Sequence, residues 1–185
     1  MGNPRVFVVT GPTAVGKGTI MKRLVARFPN VWLSISATTR PPRAGERDGI
    51  DYYFVSEQKF DELVDSGAML EWATVHGLHR YGTPRTAVQQ ALHQGKTVVL
   101  ELDLAGSRQV RRSMPEAVHI FLAPPSWDEL VGRLAGRGTE DASEQARRLE
   151  TARVELAAED EFDIVIVNTT VEQAVSDMAH AMQLA

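Results

Sequence analysis

Nine consecutive residues, Gly11-Pro12-Thr13-Ala14-Val15-Gly16-Lys17-Gly18-Thr19, follow directly on the apolar run Val6-Phe7-Val8-Val9. A glycine, four residues, a second glycine and a lysine, set between a buried strand and a helix, form a loop whose backbone N–H groups can surround an anion. Glycine has no Cβ, so the main chain can approach a ligand closely. The start of the following helix adds N–H groups that lack intrahelical partners. Lys17 contributes a compact positive charge suited to the outer phosphates of a nucleoside triphosphate. The chemistry implied is polyphosphate binding, with every residue from Gly11 to Thr19 a candidate contact. One feature departs from the usual pattern. The residue after the lysine, ordinarily the Ser or Thr whose hydroxyl holds Mg²⁺, is Gly18, and Thr19 comes one position later.

A second constellation lies between Ser36 and Phe54. Arg40 and Arg43 stand three residues apart on a proline-stiffened segment, with Tyr52 further on. Two guanidinium forks and a phenol can hold a phosphate monoester. The same residues can also be read as a solvated basic loop. Near the middle of the chain, Leu100-Glu101-Leu102-Asp103 puts two carboxylates at the end of an apolar strand, the sheet edge where ligands of α/β proteins gather.

These groups must be positioned by a fold, and the totals limit which. The chain has 185 residues, 43% hydrophobic and 24% charged, enough for one domain with a sizeable core. A net charge of −4 argues against a general nucleic-acid binder. The absence of cysteine excludes disulfides and thiolate metal sites. The apolar run after Arg5 is too short for a secretory signal, and Val6 stands where myristoylation needs Ser or Thr. No run approaches the ~20 apolar residues of a membrane helix. A cytoplasmic protein is expected.

Strands are predicted over Val6–Thr10, Trp32–Ser36, Met69–Val75, Thr97–Leu102, Val118–Leu122 and Ile164–Val167. Helices are predicted over Lys17–Phe28, Lys59–Ser66, Thr83–Gln94, Ser107–Met114, from Ser126, over Ser143–Glu159 and over Val171–Met182. Residues 40–53 read as a long functional loop, Trp72 as core and His79 as a loop residue. Alternation of strand and helix predicts an α/β fold with a mainly parallel sheet flanked by helices.

The quoted segments also resemble a known family. "GKGT" is familiar from some nucleoside monophosphate kinases. The pattern TTR..R.GE..G.DY.F from Thr38, with EWATVHG and YGTP between 71 and 84, LELDLAG at 100–106, APPSWDEL at 123–130, GRGTE at 136–140, ARRLETARVELA at 146–157 and IVIVN at 164–168, resembles the guanylate kinases over nearly the whole chain. The resemblance implies a P-loop kinase fold that transfers the γ-phosphoryl group of ATP to GMP, and to dGMP. It implies a core of 1–35, 86–125 and 158–185, a GMP-binding subdomain of 36–85 and a lid of 126–157. Arg40, Arg43, Tyr52 and Tyr81 would hold the acceptor phosphate, and Ser36, Glu71 and Thr83 would read guanine. Glu101 stands where the family usually has Asp, and Asp103 matches the second acid. Which of them touches guanine and which orients Mg²⁺-bound water stays open. Arg137 and Arg148 would embrace the donor phosphates, with Arg148 rather than Arg147 facing inward and also contacting GMP, and Asn168 would contact adenine. Thr19 would touch nucleotide phosphates, leaving Mg²⁺ to be held through phosphates and water.

Phosphoryl transfer between such partners needs alignment and charge neutralisation rather than a general base. Lys17, Arg40, Arg137 and Arg148 are the expected catalytic groups. Their mutual repulsion predicts an open empty form that closes about Gly136, Gly138 and the ends of 36–85. Two other readings stand beside this one: a non-catalytic interaction module on the same fold, and a kinase of a different phosphorylated acceptor.

Overall fold

A computed structural model of the chain describes residues 5–75, 77–135 and 142–184, with side chains of the last segment described from residue 146. The elements run β1 (Val6–Thr10), α1 (Lys17–Arg27), β2 (Val31–Leu33), β3 (Ala37–Thr38), β4 (Tyr53–Phe54), α2 (Glu57–Asp65), β5 (Met69–Val75), β6 (His79–Pro84) and α3 (Arg85–His93). They continue through β7 (Thr97–Glu101), α4 (Leu104–Ser113), β8 (Val118–Ala123), α5 (Trp127–Ala135), α6 (Ala142–Ala157), a 3₁₀ turn (Glu159–Glu161), β9 (Ile164–Val167) and α7 (Val171–Ala181).

Five strands in the order β2-β7-β1-β8-β9 form a parallel sheet. The unbroken apolar run of β1 suits its place at the centre, because both faces of the strand are covered. Phe7 and Val9 face the cluster that holds Ile20 and Leu24 of α1 and Met178 of α7. Val6 and Val8 face the opposite cluster, with Val88 of α3 and Val110 of α4. Each large aliphatic side chain so enclosed contributes roughly 1.5–3 kcal/mol. The chain is therefore α/β with a parallel central sheet between helical layers, as the alternating pattern predicts.

A second sheet, β4-β3-β6-β5, is mixed and small. Here the structure departs from the sequence reading. The helix predicted from Thr83 starts only at Arg85, because residues 79–84 pair antiparallel with β5. His79 is thus a strand residue. Trp72 is 37% exposed on β5 rather than core, packing edge-on to Phe60. The second predicted strand lies over Val31–Leu33 instead of reaching Ser36. Two helices start earlier than expected, each behind a side-chain cap. Ser56 accepts the Lys59 N–H, and Asp103 accepts the Gly106 N–H.

Two local features carry measurable consequences. A Cβ on Gly11 would lie 2.3 Å from the Leu122 carbonyl oxygen, so the first residue of the loop is pressed against β8. Gly11→Ala is expected to lower stability by about 1–3 kcal/mol or more, read from the denaturant midpoint, and an unchanged midpoint would refute the contact.

His119 is fully buried on β8, its Nδ1 2.8 Å from Ser107 Oγ, while Nε2 has no hydrogen-bond partner among the described residues. Burial, reinforced by the charge of Arg111 and partly offset by Asp163, lowers its pKa from 6.5 to about 4. The unfolded chain then takes up a proton that the folded chain refuses. This group's contribution is complete above about pH 6.5 and is lost as the pH falls towards 4. Denaturation of the wild type should show about 2 kcal/mol less stability at about pH 5 than at about pH 7.5 from this source. His119→Gln should show a flatter profile, and parallel profiles would exclude the histidine as the cause.

Candidate active site

β1 and β7 are neighbours from which the chain leaves in opposite directions, towards β2 and towards β8. Such a switch point opens a crevice at the carboxyl ends of the strands. The loop from Gly11 and the acids after Leu100 meet there.

Gly16 caps α1 at φ 100°, a left-handed conformation that favours glycine, and no side chain caps the helix. No acidic residue stands in the first turn. The N–H groups there are left for a ligand, and the helix dipole favours an anion. Ala14 also has a positive φ, 67°, a strained geometry for a residue with a Cβ. Three tethers hold the loop. Val15 N–H donates to Pro12 O at 3.2 Å. Asn168 Nδ2 donates to Val15 O at 2.7 Å, and Arg133 Nη1 donates to the same oxygen at 3.4 Å. Lys17 Nζ folds back to donate to the carbonyl oxygens of Gly11 and Pro12.

Burial lowers the Lys17 pKa, and the carboxylates of Glu155, Glu101 and Asp103 oppose that shift. Burial in turn raises Glu155 and Glu101, each opposed by Lys17. Glu155, on α6, also accepts the Thr13 N–H at 3.3 Å. A carboxylate of the chain itself therefore sits at the phosphate loop.

The cleft beside Lys17 has a volume of about 540 Å³. Thr13, Lys17, Ser36, Tyr52, Glu101 and Asp103 line it, together with Glu155. A second cavity of about 370 Å³ opens on the other side of the loop, where Ala14, Gly16, Thr19, Arg133 and Asn168 meet the start of α7. Asn168 lies in its wall with its side-chain amide already engaged by Val15.

Arg40 is almost fully buried. Its Nη2 donates to both carboxylate oxygens of Glu46, at 2.8 and 2.9 Å, and its Nε donates to Tyr81 Oη at 3.2 Å. The guanidinium lies 5.3 Å from the centre of the Tyr52 ring. The hydrogen bonds that Arg40 donates to Glu46 raise the Arg40 pKa further, and they hold Glu46 below the usual carboxylate range. Arg43 is exposed, and its backbone N–H also donates to Glu46.

Glu71 and Thr83 are direct cross-strand partners on β5 and β6, both buried. Thr83 Oγ1 donates to Glu71 Oε1 at 2.7 Å. Burial raises the Glu71 pKa, with Asp103 adding to the shift and Thr83 working against it. On α6, Arg147 is exposed and Arg148 half-buried. Arg137, Gly136 and Gly138 lie outside the described residues.

Sequence reasoning did not single out Glu155, Glu46 or Arg133. Glu46 and Glu155 stand inside the quoted segments, but a lone acid in a loop or on a polar helix face looks like any solvated charge. Arg133 carries only the ordinary helical spacing to Glu129, with which it pairs at 3.1 Å.

A family model described as guanylate kinase matches residues 3–185. The guanylate kinase of Cutibacterium acnes is 58% identical over 99% of this chain and 92% of its own length. That of Thermobifida fusca is 56% identical over 94% of this chain and 88% of its own. The crystal structure of guanylate kinase from Anaplasma phagocytophilum superposes with a TM-score of 0.72 at 30% identity, covering 98% of this chain and 86% of that one. A shikimate kinase from Bacteroides thetaiotaomicron, at 14% identity and a TM-score of 0.52, shares the fold. A central phosphate loop on a parallel sheet, matched in this way along the whole chain, means that the protein belongs to the guanylate kinase family.

Proposed function

We propose that this chain, a kinase that phosphorylates GMP with ATP, does so in the cleft beside Lys17. One observation carries the assignment. Lys17 and Thr13 of the phosphate loop line the same cavity as Ser36 and Tyr52, which come from the stretch bearing the arginine pair. A donor held by the loop and an acceptor held by that stretch would face each other across it.

In this reading ATP lies along residues 11–19, with its base towards the cavity lined by Asn168 and Arg133. GMP, or dGMP, places its phosphate among Arg40, Arg43, Tyr52 and Tyr81, and its guanine against Glu71, Thr83 and Ser36. The buried Glu71 carboxylate can accept from both the N1–H and the 2-amino group of guanine. Adenine lacks that donor pair, so the acceptor would stay unsatisfied, at a cost of ~1–3 kcal/mol or more. Lys17 and Arg148, with Arg137, neutralise the charge that migrates between the phosphates. The acceptor phosphate is already an anion, so no residue has to remove a proton.

Among the described residues no cluster of three or more metal-ligating side chains occurs. The donor set fits an ion carried in on the nucleotide. Glu101 and Asp103 line the cleft beside Lys17 and can accept hydrogen bonds from water on Mg²⁺. When bound, Mg²⁺ supplies charge neutralisation between the donor phosphates.

Residues 36–85 are read as the GMP-binding part, 126–157 as the lid, and the remainder as the core. No helix among the described residues is long and apolar enough to cross a membrane, in keeping with work on nucleotides in the cytoplasm. A non-catalytic interaction module is not favoured, since the phosphate loop is intact and the relatives are kinases by name. An ADP-release assay with GMP, dGMP, AMP, CMP and UMP tests the reading. Turnover confined to the guanine nucleotides is expected, and equal turnover of AMP would overturn it.

A further inference from the structure

Strand β5 lies at the edge of its sheet, so one side of its backbone has no strand partner among the described residues. At Trp72 that side is taken by a side chain from the core. Trp72 N–H donates to Gln109 Oε1 at 3.1 Å, and Gln109 Nε2 donates to Trp72 O at 2.9 Å. The primary amide of Gln109 thus reproduces the donor–acceptor pair that a neighbouring strand would offer. Two residues earlier, Ser113 Oγ donates to Leu70 O at 2.6 Å. Both grips come from α4, one on each side of Glu71. Leu70 itself is buried in the core cluster with Val110 of α4 and Met114, the residue that caps the C-terminus of that helix.

The other end of the same helix reaches the cleft. Asp103, its N-cap, lines the cavity beside Lys17 and accepts the Gly106 N–H at 2.7 Å. A Cβ on Gly106 would lie 3.2 Å from both Asp103 Oδ1 and Glu71 Oε2. One rigid helix therefore sets the distance between two acids of the site, through its cap at one end and through two side chains gripping β5 at the other.

We infer that Gln109 is a positioning residue for base recognition: its amide clamps the backbone of Trp72 and so fixes the Glu71 carboxylate relative to Asp103 and the incoming purine. This rests on the reading of Glu71 as the guanine contact. Gln109 is partly exposed and touches neither nucleotide in that reading. Its loss should cost little stability yet loosen a carboxylate that must meet two donors at once, where a misplacement on the order of 1 Å can cost ~10²-fold.

The test uses the full chain with GMP and IMP, which lacks the 2-amino group. Gln109→Met keeps length without hydrogen bonds, and Gln109→Glu keeps the acceptor but sets a carboxylate oxygen against Trp72 O. Both should raise KM for GMP by about 5- to 20-fold and lower the GMP-to-IMP ratio of kcat/KM, with KM for ATP within about twofold and an unchanged melting temperature. Glu71→Gln is measured alongside. If it collapses the GMP-to-IMP ratio while both Gln109 variants behave as wild type, the positioning role is wrong and the reading of Glu71 survives. If Glu71→Gln leaves the ratio intact, both fall.

Discussion

Lys17→Ala lowers kcat by at least about 10²–10³-fold while the protein melts as a folded domain. The size of the effect follows from where the ammonium sits. It lies within the curl of the phosphate loop, donating to the Gly11 and Pro12 carbonyl oxygens, and faces the cleft with Glu101, Asp103 and Glu155. In the proposed reaction, removing it takes away a preorganised charge where negative charge would build up between donor and acceptor, and water that replaced it would have to reorganise. The core clusters do not include Lys17, so folding is largely spared. Lys17→Arg should fare little better, because a planar fork cannot make the compact approach to loop carbonyls and phosphate. Single-turnover measurements with saturating ATP and GMP, beside thermal melts, check the expectation. Turnover within about twofold of wild type would remove Lys17 from the mechanism.

The second large effect concerns choice of base. Glu71→Gln should reduce kcat/KM for GMP by about 10²-fold and leave KM for ATP nearly unchanged. Thr83 Oγ1 occupies one lone pair of Oε1 at 2.7 Å, and the cross-strand register keeps the two residues opposite each other. The remaining lone pairs of a carboxylate can accept two donors from one purine edge. Glutamine offers one carbonyl and turns an NH₂ group towards a guanine donor, a repulsive contact in a buried place. Burial raises the Glu71 pKa, so the hydrogen bond from Thr83 helps to keep the group ionised. Steady-state kinetics with each substrate varied in turn separates the two effects. An equal loss for ATP and GMP would show that Glu71 acts on something other than the base.

The phosphate loop was readable because its geometry is local: the strand, glycines, lysine and helix are contiguous, and backbone rules suffice. The parallel core was readable for the same reason, since β1 and β7 to β9 announce themselves as short apolar runs. Strand β6 was not. His79 to Pro84 has no alternation of apolar residues, and Pro84 before a helical stretch looks like a helix start. Its identity as a strand comes from pairing with β5. Glu155 and Gln109 were hidden for a related reason. Their partners, Thr13 and Trp72, lie 142 and 37 residues away, so no spacing rule connects them. Glu71 and Thr83 stand out in the sequence through family likeness rather than through pattern, and the register between their strands supplies the physical reason they stand together.

Repulsion among the proposed site's cations predicts an open empty form, yet Arg40 carries an internal counter-ion and Lys17 has carboxylates of the chain in its surroundings. Arg40 is forked to Glu46, and Lys17 shares its surroundings with Glu155. In the proposed site, an arriving nucleotide would exchange one anion for another at Arg40 instead of meeting bare charge. Long-range attraction on approach is correspondingly weak at these two groups, and added salt, which screens over about 8–10 Å, has little there to screen. The association rate should then depend only shallowly on ionic strength, with selectivity residing in how long each nucleotide stays.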